Sequence, residues 1–284
     1  MAPPIVIIGA PRSGTNMLRD LLTAFPGFGT WPCDEINPIW RHGNTGHPSD
    51  QLDAAQATPD AVGFIRDRFD ALARRGGLDV VVEKTCANSL RVPFVAKALP
   101  DARYVFIVRD GYDAAASAQK RWHAKAEFGY LLAKARWTPP SDLPRYGWRF
   151  LRNRWHKLIS AEKRLAYWGP SLDNMQDLLA AHPVDEVCAL QWRACVEASL
   201  DDFDNIAHDR VHRIRYEEVV ADPAAALEGL SAFAGVRTPD LSNHTAFTDI
   251  SPRSVGKGRR DLGADGVERL RLIVASTMQR LGYG

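Results

Sequence analysis

The sequence predicts an α/β fold, a central parallel sheet flanked by helices. Three observations lead there. Short apolar or β-branched runs alternate with longer amphipathic stretches. Most of those runs are continuous rather than alternating, which is what strands covered on both faces require. The chain has 284 residues, 45% of them hydrophobic and 25% charged. That is enough to bury one large core, and it is neither a disordered nor a fibrous composition. One domain over residues 1–284 is expected.

The first strand is expected at 5–8. It runs through Gly9, Ala10 and Pro11 into a helix at about 15–25. In such a corner the backbone N–H groups of Ser13, Gly14, Thr15 and Asn16 can converge on an anion at the helix N-terminus. Gly14 lets the backbone approach an oxygen closely, and the Ser13 and Thr15 hydroxyls add donors. The corner is P-loop-like, yet the lysine that completes such a loop in an ATPase or GTPase is missing and Arg12 stands in the turn. A helix at 60–75 precedes a strand at 80–82, after which Lys84 falls at a crevice edge beside the first loop. A helix is expected at 88–98. The strand at 104–108 ends in Arg109, facing the crevice where open α/β sheets bind ligands. Asp110 then caps a helix at 111–122, and Ser117, two turns on, can share one phosphate with Arg109. From 121 to 183 the chain changes character, with Trp122, Trp137, Trp148, Trp155 and Trp168 around the break "TPPSDLP" and a helix at 146–166. This stretch reads as a helical insertion walling a pocket, plain packing of aromatics onto the sheet being the alternative. A helix at 185–207, a strand at 211–215 and helices at 223–234 and 264–281 complete the order.

A net charge of +2 is too small for general nucleic-acid binding, so any basic site is local. No apolar run approaches the roughly 20 residues of a bilayer span, and the first strand leaves no room for a secretory signal. A cytoplasmic protein is expected. Cys33, Cys86, Cys188 and Cys195 have no zinc-like pairing and are too few for a disulfide scaffold. Cys188 and Cys195, two helical turns apart, read as core residues, and no metal site is expected.

Four segments together resemble the sulfotransferases that use 3′-phosphoadenosine 5′-phosphosulfate (PAPS). "PRSGTNML" resembles the family's first loop, and Arg109 with Ser117 resembles its second element, an Arg with a Ser eight positions later. "RIRYEEVVADPAAAL" (213–227) resembles its strand-to-helix corner, and "SPRSVGKGRRDLG" (251–263) its late basic loop. The resemblance implies that the first loop holds the 5′-phosphosulfate and that Arg109 and Ser117 hold the 3′-phosphate. The late loop, through Ser254, Lys257, Gly258 and Arg259, would close over that phosphate and the adenosine. Tyr216 and Trp192 are candidates for adenine contact, core packing being equally open for Trp192. A donor phosphorylated at both ends of its ribose needs two anion sites more than a magnesium-bound triphosphate cradle, which accounts for the missing lysine. Arg12 and Lys84 are the cations best placed to stabilise the departing phosphate.

Transfer to a hydroxyl calls for alignment, charge neutralisation and a proton acceptor. Cytosolic sulfotransferases acting on phenols and steroids use a His in a K-T-H stretch, where "EKTCAN" has Cys86. Tyrosylprotein and some bacterial carbohydrate sulfotransferases, which this chain resembles more in motif style, use a Glu about twenty residues past the first loop. Glu35 stands in that region, with Asp34 beside it. His42 and His47 are candidates for supporting groups or acceptor contacts, or plain loop residues. The acceptor, a small molecule or carbohydrate facing the 121–183 segment, is not specified by the sequence, nor is the oligomeric state. An ATP-using P-loop kinase and a non-catalytic nucleotide-binding protein remain open at this point.

Overall fold

In the computed structural model, which describes residues 2–123, 136–159 and 165–283, five parallel strands form a sheet in the order β2-β3-β1-β4-β5. They are β1 (Ile5–Ile8), β2 (Phe28–Gly29), β3 (Val80–Lys84), β4 (Arg103–Val108) and β5 (Val211–Arg215). β3 runs two residues beyond the expected 80–82, because Glu83 and Lys84 stay in register with Val6 and Ile7 of β1. β2 was not expected, since two residues carry no periodicity.

Successive side chains of a strand point to opposite faces. Val6, Ile8, Val81, Tyr104, Phe106 and Val108 therefore belong to one apolar cluster, and Ile5, Ile7, Val80, Val82, Val105 and Ile107 to another. Both faces are covered, as the continuous apolar runs require. β5 lies at an edge and is only partly buried, which explains its mixed sequence "VHRIR". The second cluster is closed by α1 (Thr15–Thr23), through Leu18, Leu21 and Leu22, and by the helix Pro223–Ala234. The first is closed by α3 (Pro59–Gly76), α4 (Val92–Ala98), α5 (Gly111–Trp122) and the helices Val184–Phe203 and Lys257–Arg280. Between α1 and α3 lies the short α2 (Asn37–Trp40).

Three helices differ from expectation. The stretch 88–98 divides into a 3-10 turn, Cys86–Leu90, and α4, because Pro93 disfavours helical backbone at the residue before it and fits only a helix's first turn. The last helix begins at Lys257 rather than 264, with a break at Gly263, whose φ of 68° is open to glycine. Much of the expected basic loop is thus helical. The helix expected at 146–166 starts earlier, as Leu143–Ile159, and the expectation for 160–164 falls outside the described residues.

β1 is flanked by β3 on one side and β4 on the other. The strand order therefore reverses at β1, and in open parallel sheets the ligand crevice forms at the carboxyl ends of the strands at such a switch. The loops after β1, β3, β4 and β5 converge there.

Candidate active site

A cleft of about 1360 Å³ opens over those carboxyl ends. The loop after β1 supplies its floor. Arg12 and Gly14 both have left-handed backbone, with φ of 70° and 93°, and α1 begins at Thr15 with no side chain capping it. The first-turn amides of such a helix have no partner within the helix and aim along its axis. Gly14, Thr15 and Asn16 line the cleft. Ser13 stands apart from these: it is fully buried, its N–H donates to the Ala10 carbonyl at 3.2 Å, and it is not part of the cleft lining. Gly14 has a second reason to be glycine, because a Cβ there would stand 2.6 Å from Cδ2 of Tyr216.

The second anchor touches the first. Arg109 is buried and donates from Nη1 to the Arg12 carbonyl at 3.0 Å and from Nη2 to the Ser254 carbonyl at 2.8 Å. Its guanidinium lies over the Tyr216 ring at 4.3 Å, and the Tyr216 hydroxyl is 2.6 Å from Ser254 Oγ. Arg12 donates from Nε to Ser117 Oγ at 3.0 Å, so its side chain leans toward this second anchor. Burial, with Arg121 and Arg109 as like charges nearby, holds the Arg12 guanidinium below its ordinary pKa. Such crowding of cations favours an anion among them.

The late basic segment is fastened by Asp113, which the sequence reading passed over although it stands four residues after Arg109. Its buried carboxylate accepts the N–H groups of Gly256 and Gly258 at 2.7 and 2.5 Å. A Cβ on Gly258 would fall 2.5 Å from the Asp113 Cα, so only glycine permits that approach. Ser254, Lys257 and Gly258 line the cleft. Arg259 does not: it lies over the Tyr112 ring at 3.9 Å and pairs with Asp110 at 3.2 Å, on the other side of its helical turn. Trp192 is also away from the cleft, buried against Gly111.

On the opposite wall, Lys84 is buried, and its Nζ donates to Asp34 Oδ1 at 2.7 Å and to Glu35 Oε1 at 3.3 Å. Burial disfavours the ammonium, but Glu35 and Asp34 outweigh it and hold its pKa above the usual lysine value. Asp34 also takes a hydrogen bond from Arg19 at 2.8 Å. Against burial, Lys84 and Arg19 keep its carboxyl below the usual range. Glu35 Oε1 accepts the Cys86 N–H at 3.2 Å. Burial and the neighbouring Glu35 push the Cys86 thiol well above its ordinary pKa, so it stays protonated at neutral pH.

What holds the Glu35 segment is a buried polar network. The Ile36 N–H donates to Thr85 Oγ1, Thr85 donates to Glu83 Oε1, and Asn88 Nδ2 donates to Glu83 Oε2. Arg91 joins Asn88 to Asn37, and Asn37 donates to Asp50, which is paired with Arg41 at 2.9 Å. Burial pushes the Glu83 carboxyl up to about 7 against the pull of these donors. The signal in the sequence was a glutamate at the end of a buried valine strand.

Of the aromatic-rich stretch, Trp168 lines the cleft with Tyr146 and Tyr167. Trp122 is buried in the core, Trp137 packs against it, and Trp148 and Trp155 are exposed. The stretch 124–135 lies outside the described residues. Neither His42 nor His47 lines the cleft: His42 Nδ1 is 2.9 Å from Asp142 Oδ2, and His47 Nδ1 is 3.2 Å from the Ser49 carbonyl. All four cysteines are buried and none forms a disulfide. Among the described residues no cluster of His, Cys, Asp and Glu could hold a metal ion, and no helix is long and apolar enough to cross a membrane.

A P-loop-like parallel sheet thus sets two cationic clusters and a carboxylate–lysine pair over one cleft. The model of the Sulfotransferase family matches residues 3–166 and 149–240, and the chain belongs to that family. It is an enzyme that transfers a sulfuryl group from PAPS to an acceptor hydroxyl. Solved structures share its fold. The sulfotransferase STF9 from Mycobacterium avium superposes with a TM-score of 0.52 at 14% identity, over 98% of this chain and 76% of that one. The sulfotransferase domain of the Synechococcus PCC 7002 olefin synthase gives 0.51 at 18%, over 91% and 89%. Mouse sulfotransferase SULT7A1, solved in complex with PAP, gives 0.50 at 14%, over 98% and 85%. No curated protein sequence matches the chain significantly.

Proposed function

We propose that the cleft binds PAPS with its 5′ end on the first loop and its 3′-phosphate beside Arg109, Ser117, Ser254 and Lys257, and that Glu35 takes the proton of the acceptor hydroxyl. The observation that carries this reading is the meeting, in one cleft, of an uncapped helix N-terminus, a wall of mutually repelling guanidinium groups and the Glu35–Lys84 pair. The residues fit a doubly phosphorylated nucleoside, since each anchor offers cations and donors of its own. Thr15, Asn16 and Gly14 serve the phosphosulfate end, with Ser13 shaping the turn rather than touching the ligand. Tyr216, tied to Ser254 and covered by Arg109, supports the nucleoside side. Arg259 clamps the last helix to α5 (Gly111–Trp122) through Asp110 and Tyr112, and Trp192 packs beneath it.

The acceptor oxygen forms its bond to sulfur as the bond from sulfur to the 5′-phosphate oxygen breaks, and the electron pair leaves with the bisphosphate product. Lys84, Arg12 and the first-loop amides offset the charge growing on that oxygen, so protein cations do the work without a metal. Glu35 receives the proton. It suits the task better than Asp34, which Arg19 and Lys84 both hold ionised. A carboxylate beside bound phosphosulfate has its proton affinity raised by like charge, as a base for an alcohol or phenol requires.

The acceptor is a small molecule or carbohydrate ring, met by Trp31, Trp168, Tyr146 and Tyr167 on the aromatic side of the cleft. The volume exceeds the range of a single drug-sized ligand and suits donor and acceptor together. Residues 1–284 work as one domain, with Tyr146, Tyr167 and Trp168 of the 121–183 stretch on the acceptor wall. Buried cysteines outside any disulfide accord with a cytoplasmic setting. Glu35→Gln tests the base: turnover falls about 100-fold or more with nucleotide affinity nearly unchanged. Unchanged turnover removes Glu35 from the mechanism.

A further inference from the structure

Away from the cleft, the helix Leu143–Ile159 exposes what a protein surface normally shelters. Trp148, Leu151 and Trp155 are 68%, 61% and 67% exposed. Spacings of three and seven put all three within roughly 60° of arc on one helix face. Arg145 and Arg152, both exposed, lie along one edge of that stripe. The sequence of this helix also contains Arg149, Arg154 and Lys157 and neither Asp nor Glu, although the whole chain carries only +2. An apolar protein patch would match the rings and the leucine but not the cations. A nucleic acid would match the cations but not the leucine. An anionic lipid surface matches both: indole rings settle at headgroup depth, and arginines beside them reach lipid phosphates.

We propose that this helix docks the enzyme on an anionic membrane surface, lying in the plane of the interface with Trp148, Leu151 and Trp155 inserted among the headgroups and Arg145 and Arg152 paired with phosphates. The attachment is peripheral and reversible. Tyr146, which lines the cleft, stands on the opposite side of the same helix, so a surface bound to the stripe leaves the cleft clear. The inference stands apart from the roles given to Glu35 and to the nucleotide anchors.

The test is co-sedimentation of the full chain with vesicles of phosphatidylglycerol and phosphatidylcholine, against vesicles of phosphatidylcholine alone. The wild type binds the mixed vesicles about tenfold or more tightly than the neutral ones, and added salt weakens that binding. Trp148→Ala/Trp155→Ala and Arg145→Glu/Arg152→Glu each lose about tenfold or more. Both keep the wild-type melting temperature and the wild-type affinity for adenosine 3′,5′-bisphosphate. Equal binding to both vesicles, or full retention by either variant, overturns the proposal. So does lipid-free self-association that the tryptophan variant abolishes, since the stripe would then be an interface between copies of the chain.

Discussion

Arg12 serves two anchors at once. Its carbonyl receives Arg109 and its side chain holds Ser117, on a backbone at φ 70° that costs an ordinary residue about 1–2 kcal/mol. Arg12→Gly removes the strain and the guanidinium together. The melting temperature should therefore hold or rise, while affinity for adenosine 3′,5′-bisphosphate drops about tenfold or more in calorimetry. Lys84 acts at a different point, between Asp34 and Glu35. Lys84→Met should cut turnover at least about 100-fold and weaken nucleotide binding much less, as steady-state kinetics beside calorimetry would show.

At the scale of elements, β3 (Val80–Lys84) carries a buried acid into the sheet so that the segment after it can hold Glu35 in place. Glu83 titrates near 7 when folded, raised by burial from an ordinary value of 4.5. Between those values the unfolded chain gives up its proton while the folded chain keeps it, so stability falls as pH rises from about 4.5 to 7 and levels off above. The full effect is on the order of 3 kcal/mol. Glu83→Gln should flatten that part of a melting-temperature profile, its amide donating toward Thr85 and its oxygen accepting from Asn88. An unaltered slope would mean that Glu83 is not the group responsible. In β4 (Arg103–Val108), Phe106→Ala should cost about 3–5 kcal/mol in denaturant unfolding, because the ring is buried between sheet and helices. The long elements were legible in the sequence because continuous apolar runs and helical periodicity are local signals. β2 (Phe28–Gly29), the split around Pro93 and the early start at Lys257 were not, being settled by pairing and by neighbours distant in the chain. The site divides in the same way. Glycine, arginine and strand-end lysine positions could be read directly, but Asp113's hold on Gly256 and Gly258 spans over 140 residues. Arg259 shows the converse: its motif sits at the cleft, while its side chain turns toward Asp110 and Tyr112.

Across the whole molecule, the strand order brings Arg12, Lys84, Arg109 and Lys257 to one end of the sheet, around the cleft proposed to hold the two phosphates. That arrangement sorts ligands by where their charges lie rather than by how many they carry. The enzyme should accordingly prefer adenosine 3′,5′-bisphosphate to ATP, although the two carry about the same charge. The decisive measurement is calorimetric titration of the wild type and Arg109→Ala with adenosine 3′,5′-bisphosphate and with adenosine 5′-monophosphate. The account predicts that the variant loses far more affinity for the bisphosphate than for the monophosphate; equal losses for the two nucleotides would contradict it.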